Sequence, residues 1–136
     1  MKTLFTSIIV LFISIAMNAQ ETFTLKVTVN NAKDDQGKMV YSLSTQNQFM
    51  KAAPLQSASV EIKDGVAVAT FENVPIGDYA VMVLHDKNGN NQMDFSEQGM
   101  PTEAYGMSNN PMSYGPPTWE DAKITVDSDK EITVRL

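Results

Sequence analysis

From Thr22 to the end of the chain, apolar residues recur at every second position, and Gly, Pro, Asn and Asp interrupt them at intervals of about eight to twelve residues. That pattern belongs to strands and predicts an all-β sandwich. Phe23, Leu25, Val27 and Val29 share one face of a first strand, Thr22 to Asn30. The run Asn31 to Lys38 then turns the chain back into a second, Met39 to Thr45. Phe49, Met50 and Leu55 fall in a looser connection around Pro54, a short turn or irregular edge, because proline cannot donate to a ladder. Ser57 to Lys63 and Val66 to Phe71 flank Asp64-Gly65 and predict a hairpin, since a type I′ turn needs positive φ at both central positions. In Asp78 to His85, Tyr79, Val81 and Val83 face one way and Ala80, Met82 and Leu84 the other, as in a central strand covered on both sides. Ala122 to Val126 and Glu131 to Leu136 complete seven strands, expected to form an Ig-like or prealbumin-like antiparallel sandwich.

Residues 86–120 break the pattern. They are rich in Gly, Pro, Asn and Met, with no usable period and no amphipathic helix. A connection this long in a small domain is either functional or disordered. Met93, Phe95, Met100, Tyr105, Met107, Met112, Tyr114 and Trp119 make it too apolar for a solvated linker. It is therefore expected to fold back on the sandwich, over the second apolar face of the Tyr79 to His85 strand.

The opening of this connection carries the sharpest chemistry. Asp86, Asn88, Asn90, Asp94 and Glu97 place oxygen side chains at the first, third, fifth, ninth and twelfth positions of a twelve-residue stretch, the spacing with which an EF-hand loop wraps calcium. A Ca²⁺ ion takes about six to eight oxygens at roughly 2.3–2.6 Å, and alternate residues of a tightly curled loop converge. Asp86, Asn88, Asn90 and Asp94 would give side-chain oxygens, Gln92 its backbone carbonyl, and Glu97 a bidentate carboxylate. Asn91 stands at the sixth position, where glycine usually provides the positive-φ turn that Asn also tolerates. The loop follows a strand, so it is not an EF-hand domain. Three carboxylates and two neutral amides suit weak binding, with Kd of about 10⁻⁴ to 10⁻³ M. The alternative is a plain turn, because Asp, Asn and Gly are the commonest turn formers.

The N-terminus alters the compartment. Met1-Lys2 followed by an apolar run from Leu4 to Ala16 is a secretory signal peptide, with cleavage expected after Ala19 or Ala16. The run is shorter than the roughly 20 residues that span a bilayer. Residues 1–19 are therefore expected to leave, and residues 20–136 to act in the periplasm or outside the cell as a monomer without a transmembrane anchor. The whole chain of 136 residues carries 10 Lys and Arg against 16 Asp and Glu, a net charge of −6. With no basic cluster, nucleic acid is not an expected partner. The absence of cysteine removes disulfides, thiol catalysis, Cys-ligated zinc and lipoprotein acylation.

Catalytic readings are weaker. His85 adjoins Asp86, yet adjacent strand residues point to opposite faces, so a buried structural histidine is the simpler reading. Glu103, Glu120 and Asp121 are suited to solvated or capping roles.

The series Gly77-Asp-Tyr-Ala80, Leu84-His-Asp-Lys-Asn-Gly-Asn90, Asp94, Gly99 to Asn110 and Gly115 to Lys123 resembles the secreted bacterial family called domain of unknown function 2141. The resemblance covers nearly all of the chain after residue 19. It implies an exported β-sandwich without an established activity, with Asp86, Asn88, Asn90 and Asp94 in a characteristic loop. Pro101, Glu103, Tyr105, Gly106, Ser108 and Asn109 form a second signature, in which Met107 stands where an aromatic is more usual.

The function expected is a non-catalytic binding or structural module with a calcium-type loop. Its candidate ligand surface is Glu103, Tyr105, Ser108, Asn109, Tyr114 and Trp119, and its partner a peptide, glycan, lipid or envelope protein. The alternatives are a small envelope hydrolase built on His85, Asp86 and Glu103, and a structural partner in an envelope assembly.

Overall fold

The computed structural model describes residues 20–112 and 115–136; the expected signal peptide, residues 1–19, and Tyr114 of the expected ligand surface lie outside them. Two sheets face one another across an apolar interior. The first has the order β4-β1-β8, with β1 Thr22–Val29, β4 Ala67–Pro75 and β8 Lys130–Thr133. The second runs β3-β2-β5-β6, with β2 Lys38–Ser44, β3 Gln56–Glu61, β5 Gly77–Asp86 and β6 Tyr105–Met107. Strand β7, Ile124–Val126, pairs with the opening residues of β5.

Alternation decides what enters the core. Leu25, Val27 and Val29 from β1, Met39, Tyr41 and Leu43 from β2, and Tyr79, Val81 and Val83 from β5 are all buried in one cluster, with Ala67, Ala69 and Phe71 from β4. Intervening residues such as Lys26, Thr70 and Glu72 are exposed. The opposite face of β5 is covered as well: Ala80 is fully buried in a smaller cluster with Phe49 and Ala122, onto which Met82, Met107 and Trp119 pack.

The architecture departs from the expected seven-stranded antiparallel sandwich in three ways. The described residues form eight strands, because three residues of the long connection pair with Met82–Leu84 as β6. A three-residue strand held by its partner's edge leaves almost no periodic trace. Strand β8 lies parallel to β1, Leu25 opposite Lys130 through Thr28 opposite Thr133. The Asp127 to Asp129 turn carries the chain from one sheet to the other, where the Asp129 carboxylate accepts the Thr24 N–H at 2.9 Å. The Asp64-Gly65 turn, finally, is as tight as expected. Both residues have positive φ (52° and 76°), and Lys63 and Val66 exchange both backbone hydrogen bonds. The Asp35 carboxylate caps it by accepting the N–H groups of Asp64 and Gly65 at 2.9 and 2.8 Å. Beyond that single bridge the arms part, β3 joining β2 and β4 joining β1, so the turn is a sandwich corner instead of a ladder hairpin.

One polar group crosses the apolar interior. The Tyr41 hydroxyl, fully buried on β2, donates to the Ala67 carbonyl of β4 at 2.8 Å. Burial pushes its ionisation well above the ordinary value of 10.0, and burial also raises that of Tyr79, whose hydroxyl donates to the Pro75 carbonyl. The folded chain therefore keeps tyrosine protons that the unfolded chain releases as pH passes about 10. Stability is fully present below that pH and is lost above it. Tyr41→Phe is expected to cost about 1–2 kcal/mol, since it strands a buried acceptor. It should lower the urea midpoint without changing the slope and flatten the alkaline loss of stability, both measurable by denaturation at neutral and high pH.

Candidate functional site

Strand β5 delivers Asp86, fully buried, to the end of the second sheet, where it pairs with Lys38. The backbone before Lys38 passes so close that a side chain on Gly37 would collide with the Asp86 carbonyl, and Gly37 has φ of 73°. Only glycine meets both demands.

The Asp86 carboxylate then organises the loop. One oxygen accepts the Gly89 N–H at 3.0 Å and the other the Asn91 N–H at 2.7 Å. Asn88 Oδ1 accepts the Asn90 N–H and Asn90 Oδ1 the Gln92 N–H, at 3.2 and 3.1 Å. Each short polar side chain thus curls the backbone two residues ahead. Asn91 has φ of 59°, as the sixth position demands.

The far side of the curl is Asp94. Its two oxygens accept from Asn88 Nδ2 at 2.5 Å and Asn90 Nδ2 at 2.8 Å. Those amides, Asn90 first, hold its carboxyl below the usual range against partial desolvation, and the Glu103 side chain adds a smaller effect of the same sign. The Asp94 carbonyl accepts from the Thr102 N–H and hydroxyl at 2.8 and 3.0 Å, so the chain doubles back beside the loop. Glu103 follows. It is 9% exposed, and its Oε2 accepts the Lys87 N–H at 2.7 Å. Its Oε1 is buried with no hydrogen-bond partner among the described residues.

Of the six residues expected around a cation, the structure therefore brings Asp86, Asn88, Asn90 and Asp94 together by hydrogen bonds. Gln92 joins through its N–H, and Glu97 is exposed on the Ser96 to Met100 turn. Among the described residues, no group of three or more His, Asp or Glu side chains stands in metal-holding proximity. The oxygens gathered here belong chiefly to amides and to the facing pair Asp94 and Glu103. Lys87 moors the loop externally: its ammonium donates to Asp34 at 2.7 Å and holds the Asp34 carboxyl below its ordinary range.

The expected ligand surface is largely spent on internal contacts. Ser108, fully buried, accepts the Val81 N–H at 3.0 Å and donates to the Ala122 carbonyl. Asn109 Nδ2 donates to the carbonyls of Asp121 and Lys123 at 3.1 and 2.7 Å. Trp119 opens the one-turn helix α1, Trp119–Ala122, and meets Phe49 edge to face at 6.0 Å. Thr118 caps that turn, accepting the Asp121 N–H and donating to its carboxylate. The Thr118-x-x-Asp121 spacing was the available signal for this turn. Tyr105 stays half-buried in β6. Ser108 and Glu103 thus lie in the interior.

A family model described as an uncharacterized protein conserved in bacteria, domain of unknown function 2141, matches residues 27–134. The chain belongs to that family. No curated protein and no solved structure matches it. The family match takes in both the Asp86 loop and the Pro101 to Asn109 segment of this domain of unknown function 2141 member.

Ser108 makes the sharpest test of the second segment. Ser108→Ala leaves the Val81 N–H and Ala122 carbonyl short of a partner and is expected to cost about 1–3 kcal/mol. Chemical denaturation measures the loss.

Proposed function

We propose that the protein is an exported, non-catalytic binding or structural module, an Ig-like or prealbumin-like sandwich whose long connection is braced by a calcium-type loop. The observation that carries this reading is the convergence of Asp86, Asn88, Asn90 and Asp94 in one curl, with the buried, unpartnered side-chain oxygen Glu103 Oε1 beside it. In the structure the Asn88 and Asn90 amides turn their N–H groups toward Asp94. Rotation of either amide would turn its oxygen, the hard ligand that calcium takes, inward in exchange for the bond its Oδ1 now accepts from the Asn90 or Gln92 N–H.

Export is supported by the basic, then apolar, opening of residues 1–19. No helix among the described residues is long and apolar enough to cross a membrane. A non-catalytic role is supported by the state of the proposed hydrolase residues. His85 is 1% exposed with Nε2 engaged at 2.7 Å to the Gln36 carbonyl, Asp86 is occupied by two backbone N–H groups, and Glu103 Oε2 by a third. A peptide, glycan, lipid or envelope protein partner is supported by Phe95 and Met100, 61% and 65% exposed beside the loop.

Thermal melting in EDTA and in millimolar CaCl₂ tests the brace. Calcium at ten times its Kd is expected to stabilise the folded state by about 1.4 kcal/mol, or about 5 °C for a domain of this size. Asp94→Ala should lose that rise, whereas Glu72→Gln, exposed on β4, should keep it. A melt indifferent to calcium, with no heat on titration, removes the reading.

A further inference from the structure

We infer that Glu103, and not Glu97, supplies the bidentate carboxylate of the cation site, so that the bound ion ties the exit of β5 to the entrance of β6. The inference rests on the calcium reading above and names which part of the chain completes the site.

Glu103 is held in place before any ion arrives. Its Oε2 is fixed by the Lys87 N–H at 2.7 Å, one residue beyond Asp86, and the side chain is nine-tenths buried. Its Oε1 is buried and unpartnered. Leaving a carboxylate oxygen out of water with no donor is costly, and native folds meet such groups with a donor, a water or a metal. What lies within hydrogen-bonding reach of Glu103 is the side chain of Asp94, itself a carboxylate. A carboxylate oxygen offers no donor, whereas a divalent cation between the two is a partner for both.

Glu97 offers none of this. It is exposed, on a turn closed by Ser96 N–H to the Met100 carbonyl and Gly99 N–H to the Ser96 carbonyl. Bringing it inward would mean reopening that turn. Glu103, by contrast, is followed by the Ala104 carbonyl, which accepts the His85 N–H at 2.9 Å, and then by β6 itself. The cation would thus staple Asp94 and Glu103 across the point where the connection rejoins β5.

Calcium titration by calorimetry, with melting, on the protein and on its Glu103→Gln and Glu97→Gln variants decides the matter. Gln retains an oxygen for the Lys87 N–H, which keeps the fold. The expected result is binding weakened at least tenfold by Glu103→Gln and changed less than threefold by Glu97→Gln. Binding lost in Glu97→Gln and kept in Glu103→Gln overturns the assignment and leaves the calcium reading standing. No heat and no thermal shift in the unaltered protein overturns both. Amide exchange on the unaltered protein gives an independent readout: saturating calcium should slow exchange at least tenfold at Tyr105 to Met107. Unchanged exchange there, with calcium bound, also overturns the assignment.

Discussion

Strand β5 is apolar on both faces, and a strand of that kind has to be covered twice. One side is met by the opposing sheet, with Val81 and Val83 against the β1 and β4 residues. The other side, at Ala80, meets no further sheet among the described residues and is covered by Phe49, Ala122, Met107 and Trp119. Three of those four belong to the connection or to the turn that ends it. The connection is long because it must travel around the edge of β5 and return over its back. Its loop, its three-residue strand and its one-turn helix follow from that requirement.

Polar order along this path is set by short side chains acting on the backbone. Asp86, Asn88 and Asn90 curl the chain on the way out, and Ser108, Asn109 and Thr118 pin it on the way back. A buried backbone group needs a partner, and a segment without a regular ladder must find it in side chains. Ser108 is therefore inside the molecule as structure, and the exposed Asn109 and Thr118 spend their side chains on backbone partners. Their concentration in sequence looks like a recognition surface for the same reason that it is effective as internal scaffolding.

The period-two pattern made most of the sheet legible. The apolar face of β1, the double-sided burial of β5 and the positive φ at Asp64, Gly65 and Asn91 can all be read from residue types. What could not be read were choices between equivalent partners. Nothing in Ser57 to Phe71 says that the arms of a good hairpin turn will join different sheets, and nothing in Glu131 to Val134 says parallel. Glu103 was legible as an acid but not as a neighbour of Asp94, because that proximity comes from Thr102 bonding to the Asp94 carbonyl. Spacing along the chain pointed to Glu97 as the twelfth residue; contact in space points to Glu103.

The parallel pairing of β8 with β1 bears on when the chain can fold. Leu25 opposite Lys130 and Thr133 opposite Thr28 join the two ends of the domain, and the tail is gripped further by the Asn31 and Asn110 amides on the backbone of Thr133, Arg135 and Leu136. Closing so long a loop is entropically deferred, and the first sheet lacks its third strand until Lys130 to Thr133 exist. A chain emerging N-terminus first thus lacks this pairing until Lys130 to Thr133 have been made. Until β8 arrives, β1 and β4 stand as a two-stranded sheet with one edge of β1 unpaired, so the order in which the chain is made decides when the first sheet can close.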